Sequence, residues 1–146
     1  MRNADCGLDG KIIRTPLGWV GVAVTDCGVA RLVLPRASKK AVEKELQSAE
    51  CGVRSAEYEA KPDRALLKKA VSLLRKYFSG EHVSCDLPID VRSHTPFQRA
   101  VWQACASIPL GETRPYGWIA KRIRKPNASR AVGQAMSANP VPLLVP

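Results

Sequence analysis

No run of about twenty apolar residues occurs in this 146-residue sequence, so no stretch has the length of a membrane-spanning helix. No short apolar core follows Met1 as a secretory leader would require. GxGxxG, GxxxxGK, HExxH and GxSxG are all missing, which leaves nucleotide-dependent, zinc-protease and serine-hydrolase readings without support. Cysteine is scarce and scattered: Cys6, Cys27, Cys51, Cys85 and Cys105 form an odd set without CxxC or CxxH spacing. That argues against a disulfide framework and for reduced thiols in a cytoplasmic setting. A zinc site built from Cys6, Cys27 and His82 can be drawn, but its spacing is nondescript, and small buried apolar residues are the plainer reading of these cysteines. His82 and His94 stand alone near element ends, as surface or turn residues. Acid is the rarest commodity of the second half. From Ser93 onward a single carboxylate, Glu112, faces seven Lys and Arg, so more than half of the formal net charge of +10 lies there.

What is present is the composition of an ordinary globular protein, 45% hydrophobic and 25% charged, long enough for one or two small domains with a real core. The first ten residues read as a loose terminus. A strand is expected over 12–15 and a half-buried one over 19–25, where apolar and small residues alternate. Asp26, Cys27 and Gly28 make the turn of a hairpin whose return strand covers 29–34 and stops at Pro35. Ser38 caps a helix to about Ser48, with Val42 and Leu46 inward. Residues 50–61 read as an irregular connection with room for one short strand. Pro62 and Asp63 announce the best helix of this half, 64–78, with Leu66, Leu67, Ala70, Val71, Leu74 and Phe78 on one stripe and Gly80 as its stop. The segment 85–91 reads as extended. Thr95 then caps a helix begun by Pro96, whose buried side is Phe97, Val101, Ala104, Cys105 and Ile108.

The last stretch carries the strongest signal. A short helix is predicted from Pro115, with Ile119, Ala120 and Ile123 as its narrow apolar face. Pro126 ends it, Asn127 caps the next, and a second helix over 128–138 is built almost wholly of small residues, with Arg130 its one charge. An apolar strand over 141–145 is expected to follow. Two short helices joined by a turn match a helix-turn-helix over 115–138; a purely structural helical hairpin fits the same pattern. The surrounding positive charge is what a phosphate backbone attracts. The chain is thus expected to divide near residue 92, into an α+β unit over 1–92 and a helical unit over 93–146.

The series Phe97, Val101-Trp102, Ile108-Pro109, Gly111-Glu112-Thr113, Tyr116-Gly117, Ile119-Ala120, Pro126, Arg130-Ala131-Val132-Gly133 and Asn139-Pro140-Val141-Pro142 closely resembles the O6-alkylguanine-DNA alkyltransferases, the methylated-DNA–protein-cysteine methyltransferases of direct DNA repair. The resemblance covers 95–146 without a gap. It implies an α+β protein: a small ribonuclease-H-like N-terminal domain, then a helical winged-helix/helix-turn-helix alkyltransferase domain that is C-terminally incomplete. By the same resemblance Tyr116 presses on a target phosphate to rotate the nucleotide out of the stack. Arg130 enters from the minor groove and fills the gap, and Asn139 is the hinge between recognition helix and active-site strand. Ser129, Ala131 and Gly133 are the small residues that let a helix enter a groove about 6 Å wide, with Thr113 and Arg114 in support. It implies no cofactor, a monomer acting in the cytoplasm, and double-stranded DNA containing O6-alkylguanine as partner.

Two positions depart from the pattern. Pro115 stands where the family often has Ser, which removes a hydroxyl and stiffens the helix start. The family's Pro-Cys-His-Arg would continue from Pro146, so the nucleophilic cysteine is expected immediately after it and the 146 residues as given are expected to be inactive in transfer. Two alternatives stay open: an alkyltransferase-like protein that marks the lesion without repair, and a helix-turn-helix regulator reading the major groove. The alanines and glycine of the second helix argue against the regulator.

Overall fold

A computed structural model describes residues 2–3, 7–48, 61–109 and 111–145. It is an α+β fold with elements β1 (Arg2–Asn3), β2 (Leu8–Thr15), β3 (Gly18–Val24), β4 (Val29–Arg36), α1 (Lys39–Gln47), α2 (Arg64–Phe78), α3 (Pro96–Ala106), α4 (Tyr116–Arg122) and α5 (Ser129–Ser137). Two compact units are present: Met1–Ser93 with Pro140–Pro142, and His94–Asn139 with Leu143–Pro146. Among the described residues no helix is long and apolar enough to cross a membrane.

The first unit is an antiparallel sheet in the order β1-β2-β3-β4, with helices packed on it. Its centre is β3, in which Val20, Val22 and Val24 are fully buried on one face. Gly21 and Ala23 alternate to the other. A Cβ on Gly21 would lie 2.5 Å from Val42 and 2.8 Å from Leu46, so the missing side chain is what lets α1 seat on the sheet. The α2 stripe, Leu66, Leu67, Ala70, Val71, Leu74 and Phe78, is buried as its period required, and α2 packs on β2 and β3. The Asp63 carboxylate accepts the Ala65 and Leu66 amides at 2.8 and 3.0 Å, and Gly80 takes a positive φ of 89° just past the end.

Several sequence expectations change. Pairing begins at Arg2, inside the stretch taken as a loose terminus: Arg2 and Asn3 face Asp9 and Leu8, and Asp9 and Gly10 in turn face Val24 and Ala23 across the ladder. β4 runs through Pro35 to Arg36. Pro35 is tolerated because it lies on the edge strand, at a register shift, where no ladder donor is required. The Val29 amide on β4 donates to Pro88 O at 2.8 Å and the Leu32 amide to Pro140 O at 2.8 Å. These bonds cover donors that an unprotected edge would offer to another chain.

The extended segment 85–91 is not a strand but makes one parallel bridge, Ile89 to Val29. Gly28 permits this close approach, since a Cβ there would be 2.6 Å from Ile89. Buried Asp90 then accepts from the Thr25 hydroxyl at 2.6 Å and from the Arg92 Nε, Nη2 and amide at 2.9, 2.8 and 3.1 Å. Burial alone would raise this carboxyl, but the Arg92 and Thr25 hydrogen bonds outweigh it and hold its pKa below the ordinary value. The connection expected over 50–61 lies almost entirely outside the described residues, as does Cys6. Among the described residues no group of three or more His, Cys, Asp or Glu is placed to hold a metal.

The second unit is helical. Thr95 and Gln98 form a reciprocal capping box at the start of α3, with Pro96 in the first turn. Trp102 is its fully buried anchor, and the indole Nε1 donates to Ala135 O near the end of α5 at 2.9 Å. The ring of His94 meets Trp102 edge-on at 4.9 Å.

Candidate nucleic-acid interface

The two helices predicted over 115–138 are α4 and α5, with shifted starts. Pro115 is the residue before the helix, extended at φ −69° and ψ 155°, and contributes no side-chain cap. Asn127 does not cap α5. Ala128, the residue before it, has ψ near 19°, and its amide closes a turn onto Lys125 O at 2.9 Å. The chain therefore enters α5 already curled, and the extended geometry an Asn cap needs is absent. At the other end the strand expected over 141–145 is a turn. Leu143 takes a positive φ of 74°, Pro140 and Pro142 have no amide donors, and the Asn139 side-chain amide donates to Val145 O at 2.7 Å. That bond closes the loop on itself.

α4 and α5 meet through their small residues. A Cβ on Gly133 would lie 3.2 and 3.4 Å from the Tyr116 ring, and one on Gly117 would lie 3.6 Å from the Ser129 hydroxyl. Tyr116, at the first turn of α4, is thus seated against the middle of α5 while remaining 49% exposed. Ser129 and Arg130 are exposed in the first turn of α5, and Ala131 and Gly133 are half-buried. Val132 and Ala135 form the buried side. Tyr116, Ser129 and Gly133 are brought together in this way, and Asn139 lies just past the end of the same helix.

Thr113 and Arg114 are exposed in the connection before α4. Arg114 is already engaged: its guanidinium pairs with Glu112, donates to Thr113 O at 2.9 Å and lies 5.9 Å over the Trp118 ring. Arg122 approaches the same ring at 5.2 Å. The sequence reading missed this arginine–tryptophan–arginine stack: Trp118 and Arg122 are four apart on α4, but Arg114 precedes the helix, so helical spacing does not announce it. It also named Trp102 only in the family series and not on the buried side of α3, where it stands beside Val101.

None of the three described cysteines carries an activated thiol. Desolvation and the neighbouring Asp26 carboxylate push Cys27 up, and burial pushes up Cys85 and Cys105. A nucleophilic thiol needs the opposite shift.

The family model described as 6-O-methylguanine DNA methyltransferase, DNA binding domain, matches residues 96–146. A methylated-DNA–protein-cysteine methyltransferase of Mycobacterium bovis is 47% identical over 85 residues, covering 58% of this chain and 51% of that protein. The constitutive methylated-DNA–protein-cysteine methyltransferase of Bacillus subtilis is 36% identical over 132 residues, covering 90% of this chain and 73% of its own. The crystal structure of Mycobacterium tuberculosis OGT in complex with DNA is similar with a TM-score of 0.65 and 34% identity, over 94% of this chain and 74% of that one. The chain spans about half the length of the mycobacterial relatives it matches.

Proposed function

Since the chain belongs to the methylated-DNA–protein-cysteine methyltransferase family, we propose that it carries the lesion-binding surface of a direct-repair alkyltransferase acting, as a monomer in the cytoplasm, on duplex DNA that contains O6-alkylguanine. The small face of α5, Ser129, Ala131 and Gly133, enters the minor groove. Tyr116 presses on a target phosphate, the alkylated nucleotide rotates out, and Arg130 occupies the vacated stack. Flipping costs a few kcal/mol, and the inserted guanidinium offsets part of it. Asn139 holds the following loop in register with α5.

The acceptor is a cysteine directly after Pro146. Its thiolate attacks the alkyl carbon, the carbon–O6 bond breaks, a carbon–sulfur bond forms, and guanine leaves with its ordinary O6 after taking up a proton. No cofactor is needed, and each molecule reacts once. The residue that follows Pro146 separates this reading from a second one, a protein that marks the lesion without accepting the alkyl group.

The observation that carries the proposal is the seating of exposed Tyr116 on Gly133, beside an α5 whose first turn presents Ser129 and Arg130. The test is fluorescence anisotropy of the 146-residue chain on a duplex with one O6-methylguanine and on its undamaged twin. A preference for the lesion is expected, and Arg130→Ala should reduce lesion affinity on the order of tenfold or more, with the melting temperature unchanged because Arg130 is exposed. Equal affinity of wild type and variant for the lesion would sink the assignment. Labelled methyl moving onto a protein that continues as Cys-His-Arg separates transfer from marking.

A further inference from the structure

The ends of α2 and α4 are the same structure built from different residues. At α2 the Gly80 amide donates to Tyr77 O at 3.1 Å and the Glu81 amide to Lys76 O at 3.0 Å. At α4 the Arg124 amide donates to Lys121 O at 3.0 Å and the Lys125 amide to Ala120 O at 2.8 Å. Both are the paired pattern of a Schellman stop, which requires its central residue in the left-handed region. Gly80 occupies that seat at φ 89°, as its missing Cβ allows; Arg124 occupies it at φ 59°. Local structure alone selects glycine there. An arginine in this seat puts an exposed guanidinium on a strained backbone position.

Inside the chain that side chain does nothing evident. Arg36, Arg92 and Arg114 each bind a carboxylate, and Arg122 lies on Trp118. Arg124 is exposed and makes no ion pair or ring contact among the described residues. The turn it sits in, between α4 and α5, also carries Lys125 and is flanked by Arg122, with no acid in it. Glu112, the sole carboxylate beyond Ser93, is already held by Arg114. A free, forked guanidinium in a field without acids is matched to a phosphodiester, which accepts it with two oxygens.

We infer that Arg124 is a backbone-phosphate contact, pinning the turn of the helix-turn-helix to the duplex that α5 engages. The inference rests on the function proposed above and adds a residue to it. The contact is independent of base and of damage, so it contributes equally to intact and alkylated DNA. Sequence or lesion preference is left to α5.

The test measures two quantities that move in opposite directions. In Arg124→Gly the melting temperature should rise by about 2–4 °C as the strained seat is relieved. Affinity for an undamaged duplex should fall roughly five- to tenfold near 0.1 M salt, and the slope of log affinity against log salt should shrink by about one. Arg124→Lys keeps the charge and should retain most of that slope. Unchanged affinity and slope in Arg124→Gly, or a slope lost as fully in Arg124→Lys, overturns the inference. A lower melting temperature in Arg124→Gly overturns it as well. Arg130→Ala, run on the lesion duplex in the same series, tells the failures apart. If wild type binds and Arg130 matters while Arg124 does not, only this contact is wrong; if wild type does not bind DNA, the underlying function is.

Discussion

The helices upstream of α4 and the two of the helix-turn-helix are terminated by different means. Ser38, Asp63 and Thr95 each accept a backbone amide from the first turn of α1, α2 and α3, and α2 closes on Gly80. α4 starts on Pro115 and α5 on Ala128, neither with a side-chain cap, and the turn between them puts Arg124 where glycine fits best. Local chemistry defines the first set. The second set forgoes local stabilisation at three of its four ends and depends on packing: Tyr116 on Gly133, buried Ile119, Ala120 and Val132, and Trp102 bonded to Ala135. Of these positions Pro115 and Arg124 are exposed and Ala128 is half-buried.

The contrast can be broken most severely at Trp102. Trp102→Ala removes a fully buried indole and its bond to α5 and should cost about 3–5 kcal/mol. Denaturant unfolding followed by far-UV circular dichroism would show the loss; a cost under about 1 kcal/mol would mean that α5 is held by something other than packing. Next in size, Gly80→Arg copies the α4 ending onto α2. Nothing lies within 4 Å of a Cβ built there, so the backbone alone sets the penalty, about 1 kcal/mol. Its midpoint shift should mirror the gain from Arg124→Gly, and a larger cost would show that the two stops are not equivalent. Pro115→Ser should change least. The new hydroxyl can cap α4 for about 1 kcal/mol, while the lost ring restraint on the unfolded chain takes back a similar amount, about 0.4–1 kcal/mol. A thermal melt within a degree or two of wild type is expected.

Legibility in the sequence followed the same divide. α2 was readable to the residue because cap, period and glycine stop all agree over 62–80. The Thr95 cap and the Pro96 start of α3 were legible in the same way, whereas the reciprocal bond from Gln98 was not. Around the helix-turn-helix the chain was readable as two short helices with small residues, but not in its joints. Asn127 has the chemistry of a cap and lacks the backbone for it, since the turn onto Lys125 O has already bent Ala128. Residues 141–145 have the apolarity of a strand, yet a positive φ at Leu143 and the amide of Asn139 fold them into a turn. Neither a dihedral sign nor a side-chain bond to a carbonyl six residues on is written in periodicity. Pro35 misled for a related reason, because proline excludes only strands whose amides are needed. Of the residues proposed for DNA contact, Tyr116 and Arg130 were named from the family pattern, whereas Arg124 emerges only when backbone angles are known.

The bond from Leu32 to Pro140 joins a strand made early to a residue reached only after all of α3, α4 and α5. The sheet can form by neighbour-to-neighbour pairing, but its outer edge must wait for this closure across the whole helical region, a slow, high-separation contact. During synthesis the N-terminal unit would emerge before Pro140, and the Leu32 amide would gain this partner only once the chain beyond α5 arrives. The final locking of the sheet is thereby tied in time to the arrival of the segment that follows α5, making the maturation of the two units one ordered event.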